Sequence, residues 1–500
     1  MAFWRTEADM EQFSLVTALC ALPLIGALFL LFIRGDERIT AKNSRRVALL
    51  TSGCAFLSAL AVLARFDFNG PAVQFDCKAD WMPVFGTIWH IGIDAVSLMF
   101  LPLVSGAVFI SVLAAHKTVL SMVREYMFLT LVFESFVLTA LCSRNLIQGF
   151  VFYESALLPA FVMIAVWGVE KRAYSAFKFC FYNLAGLLAL SAVLMYAFSL
   201  TGNSDAGVGI QALPEDMQAA FLAGLVFMFS ASLPLFPFHV WFVEIRTEAS
   251  VSTSVLLSGA LSGAGLFMFL RSAFLYAPDA MSSFGGYLSV WAVFSAVYAA
   301  TVSLNRDDIG KTAGYVQLSQ AGLLAAGIFV GSQRLLSGAL FFYFAQTISV
   351  LLYLSVEAAL IRRFSAKELK SCTGLYGVSP ALGAAFFAGL LALSAFPPTP
   401  SFVGEFLVFA GIFDFSQAAG FFAILSCVLA FVALLPLFPR YVLGDFNPSL
   451  AVPADLSGIE KAQIGILALV LAVTALCPGI VMRVADAAAE ALILNGGAGI

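Results

Sequence analysis

Three glutamates are each isolated within a long apolar run of this 500-residue chain. Glu154 lies in "FYESALLPAFVMIAVWG", with no other Asp, Glu, Lys or Arg between Arg144 and Glu170. Glu405 lies in "SFVGEFLVFAGIF" and Glu134 in "LTLVFESFVLTAL". A charge at the centre of a bilayer costs at least about 2.5–3.5 kcal/mol on insertion scales. A carboxyl retained there therefore indicates a partner or a task such as proton or cation transfer, although Glu134 could simply hydrogen-bond a neighbouring helix.

The composition indicates that these runs cross a membrane. Hydrophobic residues make up 61% of the chain, charged residues 11%, and the mean hydropathy is +0.96. Soluble domains carry about 25% charged residues. Runs of about 20 apolar residues match an α-helix that crosses a hydrocarbon core, whereas β-barrel strands would be about half as long. The sequence therefore predicts an all-α polytopic membrane protein.

Other classes of function are disfavoured by the charge and by the metal-ligating residues. The net charge is −4 and no basic tract occurs, so we expect no nucleic acid partner. The eight cysteines are scattered without a CxxC pair, and the three histidines lie far apart. We therefore expect no metal and no redox cofactor in this chain. No apolar-poor segment is long enough for a domain that would bind a soluble substrate directly.

Two lysines are further candidates for a proton path. Lys178 begins an apolar run, where its side chain could equally extend to the membrane surface. Lys311 follows Arg306, Asp307 and Asp308 in a segment typical of a solvated turn.

The apolar runs predict fourteen membrane crossings. Loops rich in Arg and Lys stay cytoplasmic, and the basic clusters at 34–46, 117–124, 171–172 and 362–370 all follow odd-numbered spans. Both termini are therefore expected outside. The predicted spans are 13–33, 47–65, 92–115, 126–142, 146–168, 177–200, 218–242, 252–275, 284–304, 312–331, 335–361, 376–396, 402–436 and 462–482, of which 402–436 is too long for one straight span.

Helix-breaking residues interrupt the apolar sequence at two places. One is "LPLFPFHVWFVEIRTEAS" from Leu233, and the other is "AFPPTPSFVGEF" from Ala395. Proline frees backbone carbonyls, and such breaks are tolerated at membrane depth only where protein or water satisfies those carbonyls. Broken helices in the two halves of a chain indicate a transport pathway, although the first break could be an ordinary loop between spans.

Several motifs in consistent order are similar to those of a known family. "WHIGIDAVSLMF" is similar to the start of its third helix, "AFKFCFYNLAG" to its lysine segment and "FPFHVW" to its FPFHTW-like motif. Over nearly its whole length, the chain resembles the antiporter-like membrane subunits of respiratory complex I, most closely those of the M type. The resemblance assigns the role of the essential glutamate to Glu154, that of the late glutamate to Glu405, and that of the segment lysine to Lys178.

The chain departs from this family at the positions that would pass protons along the middle of the membrane. The ungapped equivalent of the central lysine is Gly263 in "SVLLSGALSGAG". Two family histidines become Gln320 and Gln346, a usual lysine becomes Gly310 beside Lys311, and "FVEIR" lacks a family proline. Glutamine can hydrogen-bond a chain of water molecules but cannot store a proton. The small residues four apart in "SGALSGAG" also predict close packing of this helix.

The resemblance implies about 14 transmembrane helices with broken helices and two internally related units. The expected boundaries are N-terminal helices at 1–125, units at 126–310 and 311–440, and a C-terminal loop and helix at 441–500. The implied function is that of a membrane subunit of a proton-translocating NADH:quinone oxidoreductase in the cell inner (cytoplasmic) membrane. It would work beside other membrane subunits, without a cofactor, and provide a proton path coupled to quinone reduction elsewhere.

The absent central lysine predicts that proton transfer through this path is impaired. The candidate residues of the path are Glu154, Lys178, Glu405, Glu134, Lys311, Gln320 and Gln346. Two alternatives are a subunit of a multi-subunit cation/proton antiporter and a diverged membrane scaffold that does not pump.

Overall fold

The computed structural model describes residues 7–82, 87–201, 213–306, 308–365, 368–369 and 371–495. Helices and a single hairpin make up its regular structure. In chain order these elements are α1 (Glu7–Leu31), α2 (Glu37–Arg65), β1 (Gln74–Met82), β2 (Thr87–Ile93), α3 (Ala95–Thr118), α4 (Val123–Cys142), α5 (Leu146–Trp167), α6 (Arg172–Thr201), α7 (Glu215–Ser232), α8 (Val240–Glu248), α9 (Val251–Leu256), a π-helical turn (Leu257–Leu261), α10 (Ser262–Tyr276), α11 (Pro278–Ser303), α12 (Ile309–Val330), α13 (Gln333–Ile361), α14 (Leu375–Val378), α15 (Pro380–Leu393), α16 (Pro400–Phe415), α17 (Gln417–Leu434), α18 (Leu437–Tyr441), α19 (Gly458–Leu476) and α20 (Gly479–Asn495).

The predicted all-α membrane fold is confirmed. Within the described residues, eleven helices are long and apolar enough to cross a membrane, and two shorter apolar helices, Leu15–Leu31 and Pro380–Leu393, accompany them. This number is compatible with about fourteen crossings once the broken helices are included. Part of the predicted orientation rests on the basic cluster at 362–370, of which Lys367 and Lys370 lie outside the described residues.

The helix formed by α9, the π-helical turn and α10 lies at the centre of the bundle. Every residue of its most apolar stretch is buried. A Cβ atom added at Gly259 would lie 2.6 Å from the Ala107 Cβ, and one added at Gly263 would meet the Tyr343 hydroxyl and lie 3.2 Å from Val104. The close packing predicted from the small residues is therefore present, and it leaves little space for a longer side chain at Gly263.

Both predicted breaks interrupt helices. The run 218–242 is divided into α7, which ends at Ser232, and α8, which begins at Val240, with a cis peptide bond between Phe236 and Pro237. The second break separates α15 from α16 and contains a cis peptide bond between Pro397 and Pro398. The long run 402–436 also divides, because α16 ends at Phe415 and α17 begins at Gln417.

A two-stranded antiparallel hairpin was missed by the sequence analysis. Strands β1 and β2 pair in a register that places Lys78 opposite His90, directly before α3. Asp94 caps α3 by accepting a hydrogen bond from the Ser97 backbone N–H at 2.8 Å. The Arg144 and Arg271 guanidinium groups each lie 2.5 Å from the same carboxyl. These charged contacts attach the hairpin end to α10 and to the start of α5.

Candidate functional site

Glu154 lies on α5 and faces α6. Asn145 caps the start of this helix, because its side chain accepts a hydrogen bond from the Gln148 backbone N–H at 3.1 Å. Glu154 is half-buried, and the Ser191 hydroxyl of α6 donates a hydrogen bond to its Oε1 atom at 3.2 Å. Among the ion pairs of the described residues, none includes Glu154. Its hydrogen-bond partner is therefore a hydroxyl.

Lys178 makes its ion pair with a residue that the sequence analysis did not select. Its Nζ atom lies 2.6 Å from the Glu244 Oε1 atom, which joins α6 to α8. Lys178 is therefore not the basic partner of Glu154, because its ammonium group pairs with Glu244. Glu244 belongs to "FVEIR", directly after the first break. Its position beside the break is the feature of the sequence that could have identified it as a candidate.

A second ion pair joins α8 to α13. The Arg246 Nη2 atom lies 3.0 Å from the Glu357 Oε2 atom, and the two side chains are only 2% and 5% exposed. Glu357 is the single charged residue of the run 335–361, so the isolation that marked Glu154 also applied to it. The short helix α8 is thus held by charged groups on both sides.

Glu405 lies on α16, directly after the second break, and is buried. Side chains of Gln320 on α12 and Cys427 on α17 lie near its carboxyl group. Gln320 also donates to the Leu393 carbonyl at 2.7 Å, where α15 ends, and accepts a hydrogen bond from the Gln346 Nε2 atom. Gln320 therefore satisfies a carbonyl at the break and connects the late glutamate to α13.

A cavity of about 50 Å³ lies beside Gln320 and Gln346 at the centre of the bundle. A water molecule needs roughly 10–15 Å³, so the cavity has room for several. None of the described residues that line it is Asp, Glu, Lys, Arg or His. Its polar lining consists of Ser258, Ser262, Gln317, Gln320, Tyr343, Gln346 and Thr347.

Hydroxyl groups continue from this cavity to Tyr153 on α5. The Ser262 hydroxyl donates to the Ser232 carbonyl at 3.4 Å, and the Ser232 hydroxyl lies 2.5 Å from that of Tyr153, the neighbour of Glu154 in sequence. We call the set Glu154, Tyr153, Ser232, Ser262, the cavity, Gln346, Gln320 and Glu405 the polar axis. It has a carboxyl group at each end and uncharged groups between them.

Glu134 and Lys311 take no part in the contacts that form the polar axis. Glu134 is fully buried on α4, and neither carboxyl oxygen has a hydrogen-bond partner among the described residues. Lys311 is exposed at the first turn of α12, where its backbone N–H donates to the Asp308 Oδ1 atom at 2.9 Å. Among the hydrogen bonds of the described residues, none joins the Glu134 or Lys311 side chain to Glu154 or Glu405.

Sequence comparison identifies relatives over most of the chain. Residues 143–431 match the family described as NADH:quinone oxidoreductase/Mrp antiporter, TM. The NADH-quinone oxidoreductase subunit M of Rickettsia bellii is 30% identical over 492 residues, which cover 97% of this chain and 100% of that protein.

Comparison of folds identifies similar membrane complexes. A chain of respiratory complex I from Thermus thermophilus has a TM-score of 0.85 and 26% identity, and the alignment covers 95% of this chain and 99% of that one. A chain of the Mrp complex from Dietzia has a TM-score of 0.80 at 18% identity, covering 97% of this chain and 52% of that one. The likeness to the second structure concerns the fold alone.

Proposed function

Because the chain belongs to the NADH:quinone oxidoreductase/Mrp antiporter family of transmembrane proteins, we propose that it is the M-type membrane subunit of an NADH-quinone oxidoreductase. It spans the inner (cytoplasmic) membrane beside other membrane subunits of that complex. Oxidation of NADH and reduction of quinone take place in other subunits, and this chain supplies a path for protons.

The alternative of a cation/proton antiporter subunit is less well supported. The relative named subunit M matches over its full length, whereas the chain covers about half of the aligned Mrp chain. Affinity purification of the tagged native chain tests the choice directly. We expect flavin-containing and iron–sulfur subunits with NADH-oxidising activity to co-purify. Co-purification with antiporter subunits alone would contradict the proposal.

We further propose that protons pass along the polar axis slowly. The observation that carries this proposal is the cavity between Glu154 and Glu405, whose described lining has no Asp, Glu, Lys, Arg or His side chain. Serine, glutamine and water can relay a proton by hydrogen bonding but cannot hold one between steps. An excess proton in this cavity therefore has no basic side chain among the described lining residues to occupy.

The Lys178–Glu244 ion pair is a proposed switch at the other end of α6 from Glu154, because Lys178 lies 13 residues before Ser191, about 20 Å along the helix. A nearby carboxylate favours the charged form of a lysine, and burial disfavours it. Opening of this pair would therefore make Lys178 a better proton donor at the α6–α8 interface. The family mechanism places a glutamate–lysine pair in this role, and here Glu244 supplies the carboxylate.

The proton path is tested by Glu154→Gln and Glu405→Gln in the assembled complex. Both substitutions keep the size and hydrogen bonding of the side chain but remove its proton. We expect normal assembly and NADH oxidation with fewer protons translocated per electron, measured in sealed vesicles. Glu215→Gln, at an exposed position in the first turn of α7, is the matched control. An unchanged proton output in the Glu154 variant would make this residue structural.

A further inference from the structure

Three buried charged side chains form a cluster apart from the polar axis. The Asp94 Oδ2 atom lies 2.5 Å from a nitrogen of Arg144 and 2.5 Å from a nitrogen of Arg271. The Arg144, Arg271 and Asp94 side chains are only 10%, 9% and 9% exposed. Asp94 caps α3, Arg144 lies between α4 and α5, and Arg271 lies near the end of α10. The predicted orientation places these helix ends at the outer side of the membrane.

The cluster contains one more positive charge than negative charge. Two guanidinium groups share one carboxylate, and the ion pairs of Arg144 and Arg271 among the described residues are both with Asp94. The Asp76 carboxyl also lies near the Arg144 stem, but it contacts the His90 Nε2 atom at 2.5 Å. A buried charge without compensation is strongly unfavourable. An anion beside the two guanidinium groups would therefore stabilise the cluster.

A small cavity of about 10 Å³ lies against both arginines. Arg144 and Arg271 line it, together with Leu146 and Gly149 of α5 and Met268 of α10. Among its described lining residues, none is Asp or Glu. A cavity needs roughly 10–15 Å³ to hold one water molecule. The space therefore suits a single monoatomic ion or one water, and it is too small for a phosphate or a carboxylate.

The surroundings of the cavity favour negative charge. The Arg144 Nε atom is buried and has no hydrogen-bond partner among the described residues. Arg271 is held in place, because its Nη1 atom donates a hydrogen bond to the Ser143 carbonyl at 2.6 Å. The cavity also lies at the N-terminus of α5, a helix of 22 residues, since Leu146 and Gly149 line it. Backbone N–H groups and the helix dipole attract anions at such a terminus.

We propose that this cavity binds one halide ion, such as chloride, between Arg144 and Arg271. The ion neutralises the guanidinium charge that Asp94 leaves without compensation. A water molecule fits the same space but leaves the excess charge in place. Because the cluster joins the starts of α3 and α5 to α10, the bound ion stabilises the packing of these helices. The site does not depend on whether protons move along the polar axis.

Anomalous scattering from bromide tests the site in crystals of the purified intact complex. After chloride is exchanged for bromide, we expect an anomalous peak in the cavity beside both guanidinium groups. Gly149→Ala should remove the peak, because the three atoms nearest to the added Cβ belong to residues that line the cavity, and the Met268 Cε atom is only 3.0 Å away. Gly327→Ala is the matched control, since its Cβ would make ordinary contacts of 3.4–3.5 Å away from the cavity.

Hydrogen–deuterium exchange of the intact complex tests binding in solution. Chloride at ten times its dissociation constant should slow exchange of the hydrogen-bonded amides in the second turn of α5 by about tenfold relative to gluconate at equal ionic strength, because the ion binds only the folded state. Gly149→Ala and Arg144→Gln should both abolish this difference. Arg334→Gln, at an exposed arginine on α13, should retain it.

Three results would overturn the proposal. Native crystals without bromide in the cavity would show that the space holds water or nothing. Equal exchange of the native complex in chloride and gluconate would show that the ion does not stabilise these helices. A chloride effect that persists in an assembled Gly149→Ala complex would place the responsible ion elsewhere.

Discussion

The two ion pairs of α8 differ in burial, and this difference predicts which of them can open. The Arg246 and Glu357 side chains are 2% and 5% exposed, whereas those of Lys178 and Glu244 are 18% and 35% exposed. Water therefore screens the second pair better than the first. We predict that Arg246–Glu357 holds α8 in place while Lys178–Glu244 opens and closes.

The structure sets the size of the expected difference. At the observed separation of 3.0 Å and an effective dielectric constant of about 20, Arg246 and Glu357 attract each other by roughly 5 kcal/mol. Removing one partner of a buried pair costs about 3–5 kcal/mol, because the other charge stays buried without compensation. Breaking an exposed pair costs about 1 kcal/mol or less. The cost of breaking the Lys178–Glu244 pair should be nearer to that of an exposed pair.

Hydrogen–deuterium exchange of the α8 amides in the purified complex measures both effects. Since about 1.4 kcal/mol corresponds to a factor of ten, Glu357→Gln should speed exchange by roughly 100-fold or more, and Glu244→Gln by less than about tenfold. The double variant Arg246→Met/Glu357→Met should exchange nearly as slowly as the native protein, because an apolar pair replaces both charges.

Two results would refute this reasoning. If Glu357→Gln and Glu244→Gln accelerate exchange equally, burial does not distinguish the two pairs. If the loss of stability in the double variant equals the sum of the losses in Arg246→Met and Glu357→Met alone, Arg246 and Glu357 are not coupled.

Three further predictions concern other parts of the chain. Gly263→Lys should raise the number of protons translocated per electron in vesicles. It is combined with Tyr343→Phe, which removes the hydroxyl that a Cβ at Gly263 would meet. An assembled variant without this rise would show that the missing lysine does not limit proton transfer. Glu134→Met should stabilise the complex to heat by about 1–3 kcal/mol, because it removes a buried carboxyl that has no hydrogen-bond partner among the described residues; destabilisation, with Glu134→Gln as the control, would reveal a partner. Reporters fused at Met1 and Ile500 should both be active outside the cytoplasm; cytoplasmic activity at one end alone would contradict an even number of crossings, and cytoplasmic activity at both ends would contradict the predicted orientation.

Local sequence was sufficient to predict the class of fold and several of its special positions. Apolar runs of membrane-spanning length require helices, because a helix satisfies its own backbone hydrogen bonds in lipid. Prolines 237 and 397–398 marked both breaks, since proline cannot continue a helix without losing a hydrogen bond. The isolation of Glu154 and Glu405 also needed no structure, because it is visible in the sequence, and a lone charge within a membrane span is costly.

The partners of these residues were decided by tertiary structure. Lys178 pairs with Glu244, 66 positions away, and Arg246 pairs with Glu357, 111 positions away. The periodicity of a fully apolar helix does not show which helix will lie beside it, so such pairs cannot be read from local patterns. The contact of Gln320 with the Leu393 carbonyl and the uncharged cavity arise in the same way. The cavity also depends on how close the small residues Ser258 and Ser262 of the central helix allow its neighbours to approach.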